Sequence, residues 1–309
     1  MLYIVSGAVV ALCALIPLCC RMWQGLADAW MRAVFTPVVS ALSSLCARCP
    51  FPVAEPLALL VAALALVLLF RSRRWACLLL SCVLAGYALL WAPAYSATQR
   101  HAVNAAADAE ALAGVCAQLA DRLNQYGAYA PPDDLPARAL EAAALVDTPA
   151  PVRAAPKYAR YPEWMRLFSL AGLFVPWTGE ALLDPGAADA AQPFTAVHEL
   201  MHMGGVADEG QANIYAYIAC QRMGGAFAHS ADLWAFKYAM ELLSALEGDA
   251  WASCLARLSA EARADALAVG GALTASDAQG GVCLPGASQK TNSYAQLALW
   301  LCDAASMNA

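Results

Sequence analysis

Charge is scarce in this chain: Asp, Glu, Lys and Arg supply 14% of its 309 residues, and only four residues are histidine. With no basic stripe anywhere, nucleic acid is excluded as a partner, because phosphate binding needs a basic face. A cysteine framework is missing too. Seven of the twelve cysteines (Cys13, Cys19, Cys20, Cys46, Cys49, Cys77, Cys82) fall in the apolar first third, where cysteine packs as a small hydrophobe. Cys46 and Cys49 form a lone C-x-x-C, without the second pair that would close a zinc site and without a βαβ pattern around it. The other five (Cys116, Cys220, Cys254, Cys283, Cys302) are an odd number without framework spacing, so no disulfide pattern is legible.

What abounds is apolar: 61% of the residues are hydrophobic, too many for an average soluble domain. Residues 1–20 carry no charge and are long enough to cross a bilayer as a helix; a cleaved signal peptide would need a basic start and a small-x-small site, and both are missing. A second span is expected at about 52–70, closed by Arg71, Arg73 and Arg74, and a third at about 75–95. Between the first two, Arg21 to Pro50 is mixed in character, with Trp23 and Trp30 placed as in a membrane-boundary belt, and is expected to lie along the surface. The arginine cluster favours a cytoplasmic loop, which puts the N-terminus inside and everything after Tyr95 outside. Charge divides the same way. The first 94 residues hold six Arg against Asp28 and Glu55, net +4, and the rest hold twelve Lys and Arg against twenty-two acids, net −10. The expected domains are therefore a membrane domain at 1–95 and an extracytoplasmic domain at 96–309.

The second part reads as mainly helical. Apolar residues recur at helical spacing from Thr98 to Tyr126, stopped by Gly127 and Pro131-Pro132. A helix capped by Asp133 or Asp134 runs to about Val146, and the Pro-rich stretch from Thr148 to Tyr161 reads as a loop. Leu173 to Leu183, interrupted by Pro176 and Gly179, supports a short edge strand or hairpin at most, which could receive an extended peptide by strand addition. Further helices are expected from Pro193 to Gly204-Gly205, from Asp208 to Gly224, from Ser230 to Leu246, from Asp249 to Val269 and from Asn292 to Met307, with a glycine-rich loop from Gly270 to Ser288.

The chemistry concentrates in AVHELMHMGGVADEGQANIYAY, residues 196–217, where His198, Glu199 and His202 spell H-E-x-x-H. On a helix, residues four apart share a face, so both imidazoles can reach one zinc ion with Glu199 beside them as general base. A catalytic zinc takes three protein ligands and keeps a fourth position open. Two acids offer themselves as the third. Asp208 completes H-E-x-x-H-x-x-G-x-x-D, the metzincin spacing with Asp for the third His; Glu209, at the head of the next helix, stands where gluzincins place a glutamate.

At this point the sequence resembles an uncharacterised family of bacterial three-span membrane proteins, a domain of unknown function with a gluzincin-like H-E-x-x-H zinc metallopeptidase domain. The resemblance runs through FPVAE near the second span, YALLWAPAY at the end of the third, FVPWTGEA at 174–181, PFTAVHELMH at 193–202 and the E-x-x-A-N of Glu209, Ala212 and Asn213. It implies a helical zincin-like domain after three spans, and it favours Glu209 as third ligand with Asp208 in reserve. The family pattern carries a second acid where this chain has Gln211, a departure that weakens any role needing two acids there.

Around this core, Glu180 could orient a ligand histidine or contact substrate, Asn213 could hydrogen-bond near the site, and His229, with Tyr217 and Tyr238, could donate to a tetrahedral intermediate. The leading expectation is thus a membrane-anchored, zinc-dependent peptidase acting on a peptide or protein substrate, with the lipid bilayer as its other partner. The alternative is a membrane protein whose zinc is structural or sensing, a role in which a general base has no use. An intramembrane protease is the weaker third reading, since the motif follows the last span by about a hundred residues.

Overall fold

The computed structural model describes residues 2–104, 106, 108–246, 248–270 and 295–306, and they are mainly helical. In chain order the helices are α1 (Leu2–Met22), α2 (Gln24–Trp30), a π turn (Met31–Phe35), α3 (Thr36–Cys46), α4 (Ala54–Arg71), α5 (Arg73–Leu90), a 3-10 turn (Ala92–Ser96), α6 (Ala109–Tyr126) and α7 (Leu135–Ala143). Then come β1 (Lys157–Tyr158), α8 (Glu163–Leu167), β2 (Gly172–Val175), β3 (Glu180–Leu183), a 3-10 turn (Asp189–Ala191), α9 (Gln192–Met203), α10 (Glu209–Met223), α11 (Gly225–Leu246), α12 (Gly248–Ala256), α13 (Ala260–Gly270) and α14 (Ala295–Ser306). The chain forms two compact units, Met1–Gln99 with Asp147–Gly186 and Glu199–Ala207, and Arg100–Val146 with Ala187–His198 and Asp208–Ala309. Beyond Gly270, the expected glycine-rich loop lies outside the described residues. The eleven described cysteines are free thiols.

Four helices of the first unit are long and apolar enough to cross a membrane: α1, Gln24–Cys46, α4 and Arg73–Ser96. The second of these is the stretch expected to lie along the surface, and it differs from the others in being packed along one whole face. Ala27, Met31, Phe35, Val39, Ser43 and Cys46 are all buried, whereas α4 leaves Leu59, Leu60, Leu66, Leu69 and Phe70 exposed in the way a lipid-facing helix does. Polar anchors run along it. Asp28 accepts from the Thr98 amide (2.8 Å) and hydroxyl (2.7 Å), Trp30 Nε1 donates to Leu89 O (2.8 Å), and Lys157 Nζ donates to Cys46 O (2.7 Å).

The first unit also holds a three-stranded sheet in the order β1-β3-β2, with β1 parallel and β2 antiparallel to β3. The sequence supports the β2–β3 hairpin, turned at Gly179 with φ +64. It gives no sign of β1, two residues long in a Pro-rich stretch too short to show a period of two. A side chain on Gly179 would meet the Ser43 amide at 2.8 Å and Val39 O at 2.9 Å; the turn thus needs glycine both for its backbone angle and for its approach to α3.

Two buried glutamates tie α4 to β3 and to the segment that follows β1. Glu180, on β3, accepts from Val53 N (3.0 Å) and Ala54 N (2.8 Å), so its charge caps the amino end of α4. Lys157 Nζ neutralises it at 2.8 Å. Glu55, in the first turn of α4, reaches the other way and accepts from Arg160 N and Tyr161 N at 3.0 Å each. Both carboxylates would be costly at 6% exposure or less without such donors.

In the second unit α6 and α7 begin where Asp108 and Asp134 cap them, accepting from Ala111 N (2.9 Å) and Ala137 N (3.4 Å). The helix expected from Thr98 starts eleven residues later, at Ala109. Residues 98–101 are claimed instead by side chains, Thr98 by Asp28 and His101 by Gln211, whose amide accepts from His101 N (3.1 Å) and donates to His101 O (2.7 Å). An ionised acid at Gln211 could do only the first. Deeper in the unit, fully buried Asp232 accepts from Arg122 Nη2 (3.0 Å), Tyr126 OH (3.1 Å), Tyr217 OH (3.0 Å) and Gln221 Nε2 (2.7 Å). Burial pushes its carboxyl up, against the Arg122 guanidinium and these hydrogen bonds.

Removing the Glu180 carboxylate strands two helix-terminal amides and leaves Lys157 without its anion. Glu180→Ala should therefore cost about 2–4 kcal/mol of stability. A thermal unfolding midpoint equal to that of the unmodified protein would sink the capping role.

Candidate metal centre

Two neighbouring helices and the turn between them build the site. At the start of α9, Thr195 Oγ1 donates to Ala191 O (2.9 Å) and the Phe194 amide donates to Ser230 Oγ of α11 (3.1 Å). At its end Gly205, with φ +88, takes a conformation natural only to glycine. Gly205 N donates to His202 O (2.9 Å) and Val206 N to Met201 O (3.1 Å), the paired bonds of a Schellman motif. This turn also brings Val206 O to 2.6 Å from His202 Nδ1. A carbonyl can only accept, so Nδ1 carries the proton and Nε2 is left as the lone-pair nitrogen.

Past the turn, Asp208 caps α10, accepting from Gln211 N at 2.9 Å, and its neighbour Glu209 projects from the first helical position. Glu209 Oε2 and His198 Nε2 stand 3.1 Å apart. One ligand atom each from His198, His202 and Glu209 lies within 4.8 Å of the others, the one such group of three or more among the described residues. Two donors bound to a single zinc at about 2.0–2.1 Å and a tetrahedral angle lie roughly 3.3 Å apart, so the His198–Glu209 separation is already what a shared ion requires. Two imidazoles and one carboxylate also form a donor set that suits zinc and leaves one position open. The residues fit the metal. Glu199, between the two histidines, is 7% exposed and is not part of the triplet.

His202 has a neighbour that spacing could not reveal. Its ring meets Trp91 edge-on at 5.8 Å, and Trp91 closes α5 while also touching Phe35 (5.9 Å), Tyr95 (6.2 Å) and Phe174 of β2 (5.1 Å). Trp91 lies inside YALLWAPAY, the one sequence signal that pointed toward it. A Cβ on Gly205 would stand 3.1 Å from Met31 Cε and 3.2 Å from Phe35 Cε1, so the end of α9 rests on the same aromatic group.

Of the residues expected around the centre, Glu180 has both oxygens engaged at the head of α4. Asn213 lies one helical turn after Glu209, on the same face. It is fully buried, and neither amide atom has a hydrogen-bond partner among the described residues. His229 belongs to another cluster, stacked on Tyr126 at 5.0 Å, edge-on to Tyr129 at 5.5 Å and 3.5 Å from Asp265 Oδ2. Tyr217 serves Asp232 and Arg122, and Tyr238 packs on Trp234 at 5.5 Å.

Burial depresses the His229 pKa below its ordinary 6.5, only partly offset by Asp265. The folded protein therefore holds the neutral ring, and the unfolded chain binds the proton first as pH falls. Stability should be intact above pH 6.5 and decline as pH drops below it. His101, also depressed by burial, adds a slope of the same sign. His229→Gln should flatten the melting-temperature profile between neutral pH and the acid limb; an unchanged slope would refute this assignment.

Set against known proteins, residues 30–271 match the family described as Protein of unknown function (DUF3810). No curated protein and no solved structure matches.

Proposed function

The chain belongs to the DUF3810 family, and from the site it carries we propose that it is a membrane-anchored, zinc-dependent metallopeptidase with a gluzincin-like ligand set. The observation that supports this reading is the convergence of His198, His202 and Glu209 within 4.8 Å while a further acid, buried Glu199, stands outside the triplet on the same helix as the histidines. A structural zinc would close its coordination with a fourth protein ligand and would have no need of Glu199.

A zinc ion held by these three side chains supplies Lewis-acid chemistry, activating water and polarising a peptide carbonyl. The protein's own groups do the rest. Glu199 takes a proton from the attacking water and returns it to the leaving amine. The Val206 carbonyl keeps His202 in the tautomer that presents Nε2, and the cap at Asp208 fixes the first turn of α10 so that Glu209 meets His198. Anchoring falls to α1, α4 and α5. The Arg71–Arg74 junction between α4 and α5 favours the cytoplasmic side, placing the chain beyond α5 outside the cell membrane. That placement holds whether or not Gln24–Cys46 crosses, since only segments before α4 would change sides.

Two substitutions separate base from ligand. Glu199→Gln should keep zinc content, measured by elemental analysis, and lower cleavage of a broad peptide library by about 100- to 10,000-fold. Glu209→Gln should weaken zinc retention at least ~10–100-fold, whereas Asp208→Asn retains most of it. Full zinc in Glu209→Gln with loss in Asp208→Asn would move the third ligand to Asp208. Wild-type protein that holds zinc and cuts nothing would return the site to a structural or sensing role.

A further inference from the structure

Where His202 lies relative to the apolar helices bears on what the site cuts. His202, the α9 end and the sheet all belong to the compact unit that contains those helices. Trp91, which caps the last of them, touches both His202 and Phe174 of β2. The β2–β3 turn goes further. Trp177 lies 6.3 Å from Tyr87, and a Cβ on Gly86 would sit 2.6 Å from Trp177 Nε1. Gly86 is four residues before the end of α5 at Leu90, about 6 Å along the helix axis. The hairpin tip therefore descends past the end of a candidate span, and it does so with a half-exposed tryptophan, the residue that favours the headgroup boundary. Met203 Sδ accepts from Ser43 Oγ at 3.5 Å, which ties the far end of α9 to the apolar segment Gln24–Cys46.

Among the described residues β2 is an edge strand, paired on one side only, to β3. An extended chain added along that edge would lie beside the Trp91–His202 contact, at the level where α5 leaves the apolar layer. We propose that the substrate is an extended segment of a membrane-anchored polypeptide, read within a few residues of the bilayer surface, and not a freely diffusing peptide. This deepens the hydrolytic reading and rests on it. Confinement to the same surface raises the effective concentration of such a segment to the millimolar range for a short tether, and the edge strand selects extended backbone over helix.

The test reconstitutes the full chain in phospholipid vesicles. A randomised peptide library is displayed on a single apolar helix of about 20 residues, through spacers of about 5 or about 40 residues, whose mean reaches are roughly 12 Å and 35 Å. The same library is supplied free at equal total concentration. The short-spacer display should be cut at least ~100-fold faster than the free library, and the inactive Glu199→Gln protein should crosslink to the short-spacer display in preference to the free one. Cleavage confined to the long spacer, or equal rates for free and tethered peptides, overturns the surface assignment and leaves the peptidase standing. No cleavage of any form by the wild-type protein, identical to Glu199→Gln, overturns the peptidase reading and this proposal with it.

Discussion

The arrangement of the centre depends on one turn, the Schellman closure of α9 at Gly204–Val206. Its left-handed glycine, Gly205, stands two residues after Met203, where the helix ends, and its two backbone bonds fold the chain back far enough for the Val206 carbonyl to reach the ring of His202. The same reversal sets the distance to Asp208, whose cap starts α10 and delivers Glu209 to His198. Tautomer, helix end and third acid are thus consequences of a single positive-φ residue, placed where Met31 and Phe35 leave room for hydrogen but little for a methyl group.

A chain this poor in charge surrounds the acids it buries at Glu55, Glu180 and Asp232 with donors. Glu180 reaches from β3 to α4 and Glu55 from α4 to the segment after β1, and both are satisfied mostly by backbone amides, donors that cost no side-chain entropy to order. Asp232 instead gathers four side-chain donors. Such acids hold register: each fixes which residue of one element meets which residue of another, a specificity that apolar contacts along α1, α4 and α5 do not supply.

Much of this was legible in the sequence. Apolar runs gave α1, α4 and α5, the Asp caps and C-terminal glycines bounded α7, α9 and α10, and H-E-x-x-H with its following acids named the residues that converge. What could not be read was long-range. β1 is two residues whose only signal is pairing with β3. The start of α6 slipped eleven residues because Asp28 and Gln211, distant in sequence, claim residues 98–101. Glu180 sits in a motif near the centre in sequence, yet it serves α4, since helical and strand spacing say nothing about which distant amide lacks an acceptor. Trp91 was visible only as part of a shared block, with no local pattern linking a tryptophan at a helix end to a histidine 111 residues later.

The π turn at Met31–Phe35 has a consequence for chain length. Ala27, Met31, Phe35, Val39 and Ser43 are buried at intervals of four, a spacing that in a plain α-helix drifts about 40° per step and would carry Ser43 toward the opposite face. The wider turn takes up part of that drift and keeps the stripe on one side. Exposed positions such as Val38 can then vary freely among apolar residues, but loss of one residue between Phe35 and Val39, past the wide turn that could absorb it by closing to an α turn, would rotate everything after it by about 100°. Val39 and Ser43 would turn away from Gly179 and Met203, so across this segment descent with substitution is cheap and descent with a single-residue deletion is not.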